Sequence, residues 1–261
     1  MGWDRSGLRF VVPVFLAPVV VLLGWVSMQI AGGLVAGLGL GLRPTLIASE
    51  AGLALPGLIA LAALGPPALS GLFRGPVEGR AAALSLAAGG AFWVTSLGLF
   101  ELQYAVWQPP IEYLEMFQRL HEALRPAGPM DAVLSLAAIA FAPALFEEVL
   151  FRGIVLPGLA ARWNAAPAIV GSALLFGLIH LDLQTPGAAF YRVPFAFLVG
   201  VGLGFLRVAT RSLLPPLVAH ATLNTITFLA VPLTGNSSAG LPDFEPLTGV
   251  GLLAVGLAAS A

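Results

Sequence analysis

The stretch AVLSLAAIAFAPALFEEVLFRGIVLPGL, Ala132 to Leu159, decides the fold. It is apolar over more than the about 20 residues that cross the hydrocarbon core as a helix, yet it carries Glu147, Glu148 and Arg152. With no water in the bilayer core, backbone polar groups must be satisfied within the segment, so a run of this kind reads as a spanning helix. A charge near the bilayer centre costs on the order of 2.5 to 3.5 kcal/mol. Three charges within six positions therefore need a reason.

The rest of the chain has the same character. Of its 261 residues 58% are hydrophobic and 10% charged, against about 25% charged in soluble domains, and the mean hydropathy is +0.94. These values exclude a soluble enzyme and predict an all-α, polytopic membrane bundle of about eight transmembrane helices. Besides Ala132–Leu159 the spans read as Phe10–Ala31, Thr45–Leu64, Ala81–Tyr104, Ala166–Leu181, Pro194–Val208, Leu213–Val231 and a short terminal run, Leu247–Ala261. The first reads as a retained anchor, and the formal myristoylation pattern at Met1–Ser6 is set aside. Gly33, Gly37 and Gly41 recur at four-residue spacing, as in helices that approach closely, although plain glycine richness accounts for them equally well.

Between the third and fourth spans, Ile111, Leu114, Phe117, Leu120 and Leu124 fall on one helical face. That segment reads as an amphipathic helix in the interface, with His121 as a solvated surface residue. With the N-terminus cytoplasmic, the inner segments hold Arg5, Arg9, Arg74, Arg80, Arg162, Arg207 and Arg211, and the outer ones Arg43, Arg119, Arg125 and Arg192. Seven against four favours that orientation. No repeat or long linker divides the chain, so residues 1–261 read as one membrane domain, with the polar-bearing core helices at 131–231.

A net charge of −1 gives no electrostatic case for nucleic acid. There is no Cys and no Lys, which removes thiolate chemistry, Ser-Lys dyads and Schiff bases. His-Glu-x-x-His and Gly-x-Ser-Gly patterns are also absent, although Ser172 shares a helix with His180. Asp4, Asp131, Asp182 and Asp243 lie at span ends or in loops, which argues against an aspartyl dyad. What remains is a carboxylate and imidazole site acting on water.

Glu148 and Arg152 are four apart with the acid first, the favourable helical pairing. Glu147 points about 100° away from Glu148 and has no partner on its own helix, which suits a group that accepts and returns a proton. Phe176 and His180 share one face of the fifth span, and His220 and Asn224 share one face of the seventh. At about 1.5 Å rise per residue, Glu147 stands about 22 Å above Arg162, His180 about 20 Å above Pro167 and Asn224 about 17 Å above Leu213. The three helices can thus bring their polar groups to one level. Glu50 in the second span has no evident partner and is read as lying near an interface or making polar packing contacts.

Glu147-Glu148-x-x-x-Arg152-Gly153, Phe176-x-x-x-His180 and His220-x-x-x-Asn224, in this order, resemble the signature of the CAAX-protease and bacteriocin-processing family, also called CPBP or Abi. The resemblance covers about Asp131 to Val231. It implies an eight-helix glutamic intramembrane endopeptidase that cleaves near the membrane-associated tail of a protein or peptide. It further implies that Glu147 is the general base, that His180 holds and polarises the water, and that His220 and Asn224 stabilise the oxyanion. Glu148 and Arg152 would position the fourth span and meet a substrate carboxylate. No cofactor is implied, and a zinc site of Glu147, His180 and His220 is the alternative. A non-enzymatic immunity or scaffolding protein and a proton-coupled transporter are the readings from other classes. The Ala, Gly, Leu and Arg bias points to a GC-rich coding sequence, hence to a bacterial plasma membrane and away from prenylated substrates.

Overall fold

The computed structural model describes residues 13–64, 79–185 and 187–234. Arg5, Arg9, Arg74, Asp243, Glu245, the Met1–Ser6 pattern and the expected span Leu247–Ala261 lie outside the described residues. Among those described, the chain is entirely helical: α1 Ala17–Gly37, α2 Leu42–Ala63, α3 Gly79–Val106, α4 Ile111–Leu124, α5 Pro129–Ala160, α6 Ala165–Leu178, α7 Val193–Thr210 and α8 Leu214–Thr234. Five of these, α1, α2, α3, α5 and α7, are long and apolar enough to cross a membrane, and α6 is a shorter apolar helix. Large apolar side chains such as Leu22, Val26, Ile30 and Leu34 face outward along α1. A surface of this kind is at home in lipid and costly in water. The fold is a helical membrane bundle.

The charged helix α5 lies at the centre. Leu150, Ile154 and Leu156 pack with Val20 of α1, Leu53 of α2 and Ile169 of α6 in one buried core. The helix is not uniform: it widens to π geometry over Ala137–Phe141 and Val149–Val155, on either side of the α-helical Ala142–Glu148. Each wide turn precedes a proline, Pro143 or Pro157. A proline supplies no N–H and its ring crowds the carbonyl one turn back, and widening the turn relieves both. In π register Pro157 cannot serve the carbonyl of Arg152, and Nε of Arg207 donates to it from α7 at 3.3 Å. Arg207, counted above as a cytoplasmic loop arginine, is thus a buried strut between α7 and α5.

The glycine row did not predict the close helix contact. Gly33, Gly37 and Gly41 have nothing within 4 Å of where a Cβ would stand. The α1–α2 approach uses other glycines. A Cβ on Gly52 would lie 2.7 Å from the Ser27 carbonyl oxygen and 2.9 Å from the Ala31 Cβ, and one on Gly24 would lie 2.5 Å from the Leu53 carbonyl oxygen. Gly52→Val should therefore lower stability by about 1–3 kcal/mol through overpacking, whereas Gly37→Ala leaves it unchanged. Unfolding of the purified protein in mixed detergent measures both.

The helix α4 forms over the expected residues, and Leu114, Phe117, Leu120 and Leu124 of the expected face are partly or fully buried, the departure being at its first turn. Tyr113 and Leu124 are buried and Ile111 is exposed. Tyr113 packs edge to face on Tyr191, in the loop before α7, at 5.4 Å. His121 turns inward as well. Its Nδ1 donates to the Phe117 carbonyl at 2.9 Å and its ring stacks on Phe228 at 6.2 Å, so it is not a solvated surface residue.

Candidate active site

Behind the site lies a closed charge network. Arg152, 1% exposed, donates to Oε1 of Glu148 at 2.9 Å and to the Gly200 carbonyl at 3.0 Å. Its guanidinium also sits 4.6 Å from the centre of the Phe176 ring, a favourable cation–π placement in a desolvated site. Gly200 lets α7 come close here, since a Cβ would lie a tight 3.1 Å from both Ala173 and Phe176. The same Oε1 of Glu148 meets Nδ1 of His220 at 3.0 Å. An ionised carboxylate only accepts, so the network assigns the proton to Nδ1 of His220. The other ring nitrogen, Nε2, lies 3.7 Å from Oε2 of Glu147. The i,i+4 pair is therefore present as expected, and its Glu148 also orients a histidine from α8.

In front of this network opens a cavity of about 430 Å³, which Glu147, His180, His220, Asn224 and Phe176 all line. The three helices do bring their polar groups together. Nδ1 of His180 donates to the Phe176 carbonyl at 2.8 Å. A carbonyl accepts only, so in the neutral ring Nε2 of His180 is left as a bare acceptor. Phe176 holds both imidazoles by its edge and face, at 4.9 Å from His180 and 6.0 Å from His220. Ser172, the possible hydroxyl nucleophile on that helix, is buried and donates instead to the Phe151 carbonyl at 3.2 Å.

Two sequence readings need correction. Arg152 does not line the cavity and both its donor branches are occupied, so it is not placed to meet a substrate carboxylate. Glu50 has a place the sequence reading did not give it: it lines the cavity with Glu147, its Oε2 sealed and without a hydrogen-bond partner. The cost argument that singled out Glu147 applied equally to Glu50 and was the available signal. Tyr113, His121, Asp182, Arg192 and Thr227 add to the polar lining. Burial pushes the Tyr113 phenol up to about 12 against the opposing pull of Arg192, so it is a neutral donor at physiological pH. Burial raises Asp182, but hydrogen bonds from Thr185 and Gln184 outweigh it and hold the carboxyl below its ordinary value. Among the described residues no three His, Asp or Glu side chains converge in an arrangement suited to a metal ion.

Residues 129–226 match the family model described as Type II CAAX prenyl endopeptidase Rce1-like. This segment is Rce1-like. No curated protein matches the chain. The Rce1-like segment takes in α5 to α8 as far as residue 226 and includes every residue of the three motifs. Glu50 and the α1–α2 pair lie outside it. The match, together with the apolar helices, marks a membrane endopeptidase, a hydrolase acting on protein or peptide substrates.

Proposed function

We propose that the protein is a glutamic intramembrane endopeptidase in which Glu147 activates water inside the cavity. The observation that carries this reading is the division of labour between the two adjacent acids. Glu148 is held by Arg152 and His220 behind the cavity, and Glu147 faces into it. The bare Nε2 of His180 accepts a hydrogen bond from the water and, with Glu147, orients it. As the water oxygen bonds to the carbonyl carbon, Glu147 takes its proton. Charge then develops on the carbonyl oxygen. The carboxamide of Asn224, one turn further along α8, donates to it, and His220, oriented through Glu148, does so in the form that carries a proton on Nε2 as well as on Nδ1. Collapse breaks the C–N bond, and Glu147 returns the proton to the leaving amine. The α5–α8 core at 131–231 carries this chemistry in a bacterial plasma membrane, with the N-terminus cytoplasmic, on a substrate with a membrane-proximal tail.

Purified protein in liposomes should cleave a peptide with an apolar tail. Cleavage should persist after exhaustive chelation, with zinc by elemental analysis well below one per chain. Activity lost on chelation and restored by zinc alone would replace this mechanism with the metal-dependent one. Failure to cleave any tail peptide while moving protons across the liposome would favour a transporter.

A further inference from the structure

The removal of Arg152 from the cavity leaves the question of what recognises a charged end or side chain of a substrate. Among the described residues that line the cavity, Arg192 is the one Arg or Lys. It is exposed as well as cavity-lining, so it stands where the cavity meets solvent, at the start of α7. Its guanidinium lies 5.5 Å from the centre of the Phe117 ring of α4. This contact holds one face of the planar group and leaves its N–H edge open. Among the described residues it makes no ion pair. Asp182 is near enough for the Arg192 charge to help hold its carboxyl down, but it does not occupy the guanidinium edge: Oδ1 accepts from the backbone N–H groups of Gln184 and Thr185, and Oδ2 has no hydrogen-bond partner.

We propose that Arg192 is a carboxylate-binding subsite at the mouth of the Glu147 cavity, holding an anionic group of the peptide while the scissile bond reaches Glu147. This rests on the endopeptidase reading. The guanidinium fork matches a carboxylate with two parallel hydrogen bonds. A more highly charged anion would meet Glu50, Glu147 and Asp182 on the same lining. A peptide offers a carboxylate from its C-terminus or from an Asp or Glu side chain, and the two sources are separable.

The test measures binding as well as cleavage. Glu147→Gln protein in phosphatidylcholine vesicles is titrated with a fluorescent apolar-tailed peptide as the free acid, as the amide, and as the amide with a Glu placed in its tail. Either carboxylate form should bind roughly 10- to 100-fold more tightly than the plain amide. Tight binding of the free acid assigns the terminus, and tight binding of only the Glu-bearing amide assigns a side chain. Adding Arg192→Gln should weaken the favoured form to the level of the plain amide and leave the amide unchanged. Arg192→Lys, which keeps the charge without the fork, should retain part of the preference. Equal binding of all three forms, or an equal loss for all three with Arg192→Gln, overturns the subsite. Cleavage by wild-type protein is scored separately. An Arg192-dependent preference without cleavage keeps the subsite and removes the endopeptidase reading, whereas cleavage with no preference does the reverse.

Discussion

Replacing Glu147 by Gln is expected to lower kcat by roughly 10²- to 10⁴-fold, the range for losing a positioned general base, with KM little changed. Gln has nearly the same shape, so the cavity and its contact with His220 persist, but a carboxamide cannot take the water's proton. The unfolding midpoint should stay close to that of the wild type. Among the described residues Glu147 has a polar contact in the 3.7 Å approach to His220, and Gln fills the same buried volume. Single-turnover cleavage of a tail peptide in liposomes checks the rate, and full activity of the Gln variant would remove Glu147 from the chemistry. Glu148→Gln would lower the rate by a different route, because its target is the orientation of His220.

The distinction between these two acids was legible in the sequence. Spacing along one helix states which side chains share a face, and that alone separated Glu147 from the Glu148–Arg152 pair and grouped His220 with Asn224. What spacing cannot state is which neighbour each face meets. His220 was expected to serve with Asn224, and its Nδ1 also reaches back to Glu148, a contact between α8 and α5 that no local pattern encodes. Glu50 is the same case: its significance depends on α2 meeting the cavity edge, and within its own helix it has no partner. His121 turns inward onto Phe228 of α8, a partner from a distant helix that hydropathy does not specify. The glycine row failed for a related reason, since a four-residue period marks a smooth stripe whether or not another helix lies on it. The π turns of α5 had a sequence cue in Pro143 and Pro157, but the widening itself follows from how the freed carbonyls find partners on other helices.

Arg152→Met should be the most destabilising single change in the core. It leaves the Glu148 carboxylate, 0% exposed, with His220 as its remaining partner, and also strips a donor from the Gly200 carbonyl. Breaking a buried ion pair by removing one member costs about 3–5 kcal/mol, because the surviving charge stays desolvated. The double variant Glu148→Gln with Arg152→Met should recover much of that loss, since a neutral amide in the same place still accepts from Nδ1 of His220 and carries no stranded charge. Detergent unfolding of the two single variants and the double completes the cycle. A substrate-binding role for Arg152 makes the opposite forecast, a raised KM with unchanged stability. Saturation by Glu148, Gly200 and the Phe176 ring argues for the structural outcome. In that case the arginine acts on catalysis through Glu148, by holding it in place so that His220 presents Nε2 toward Glu147.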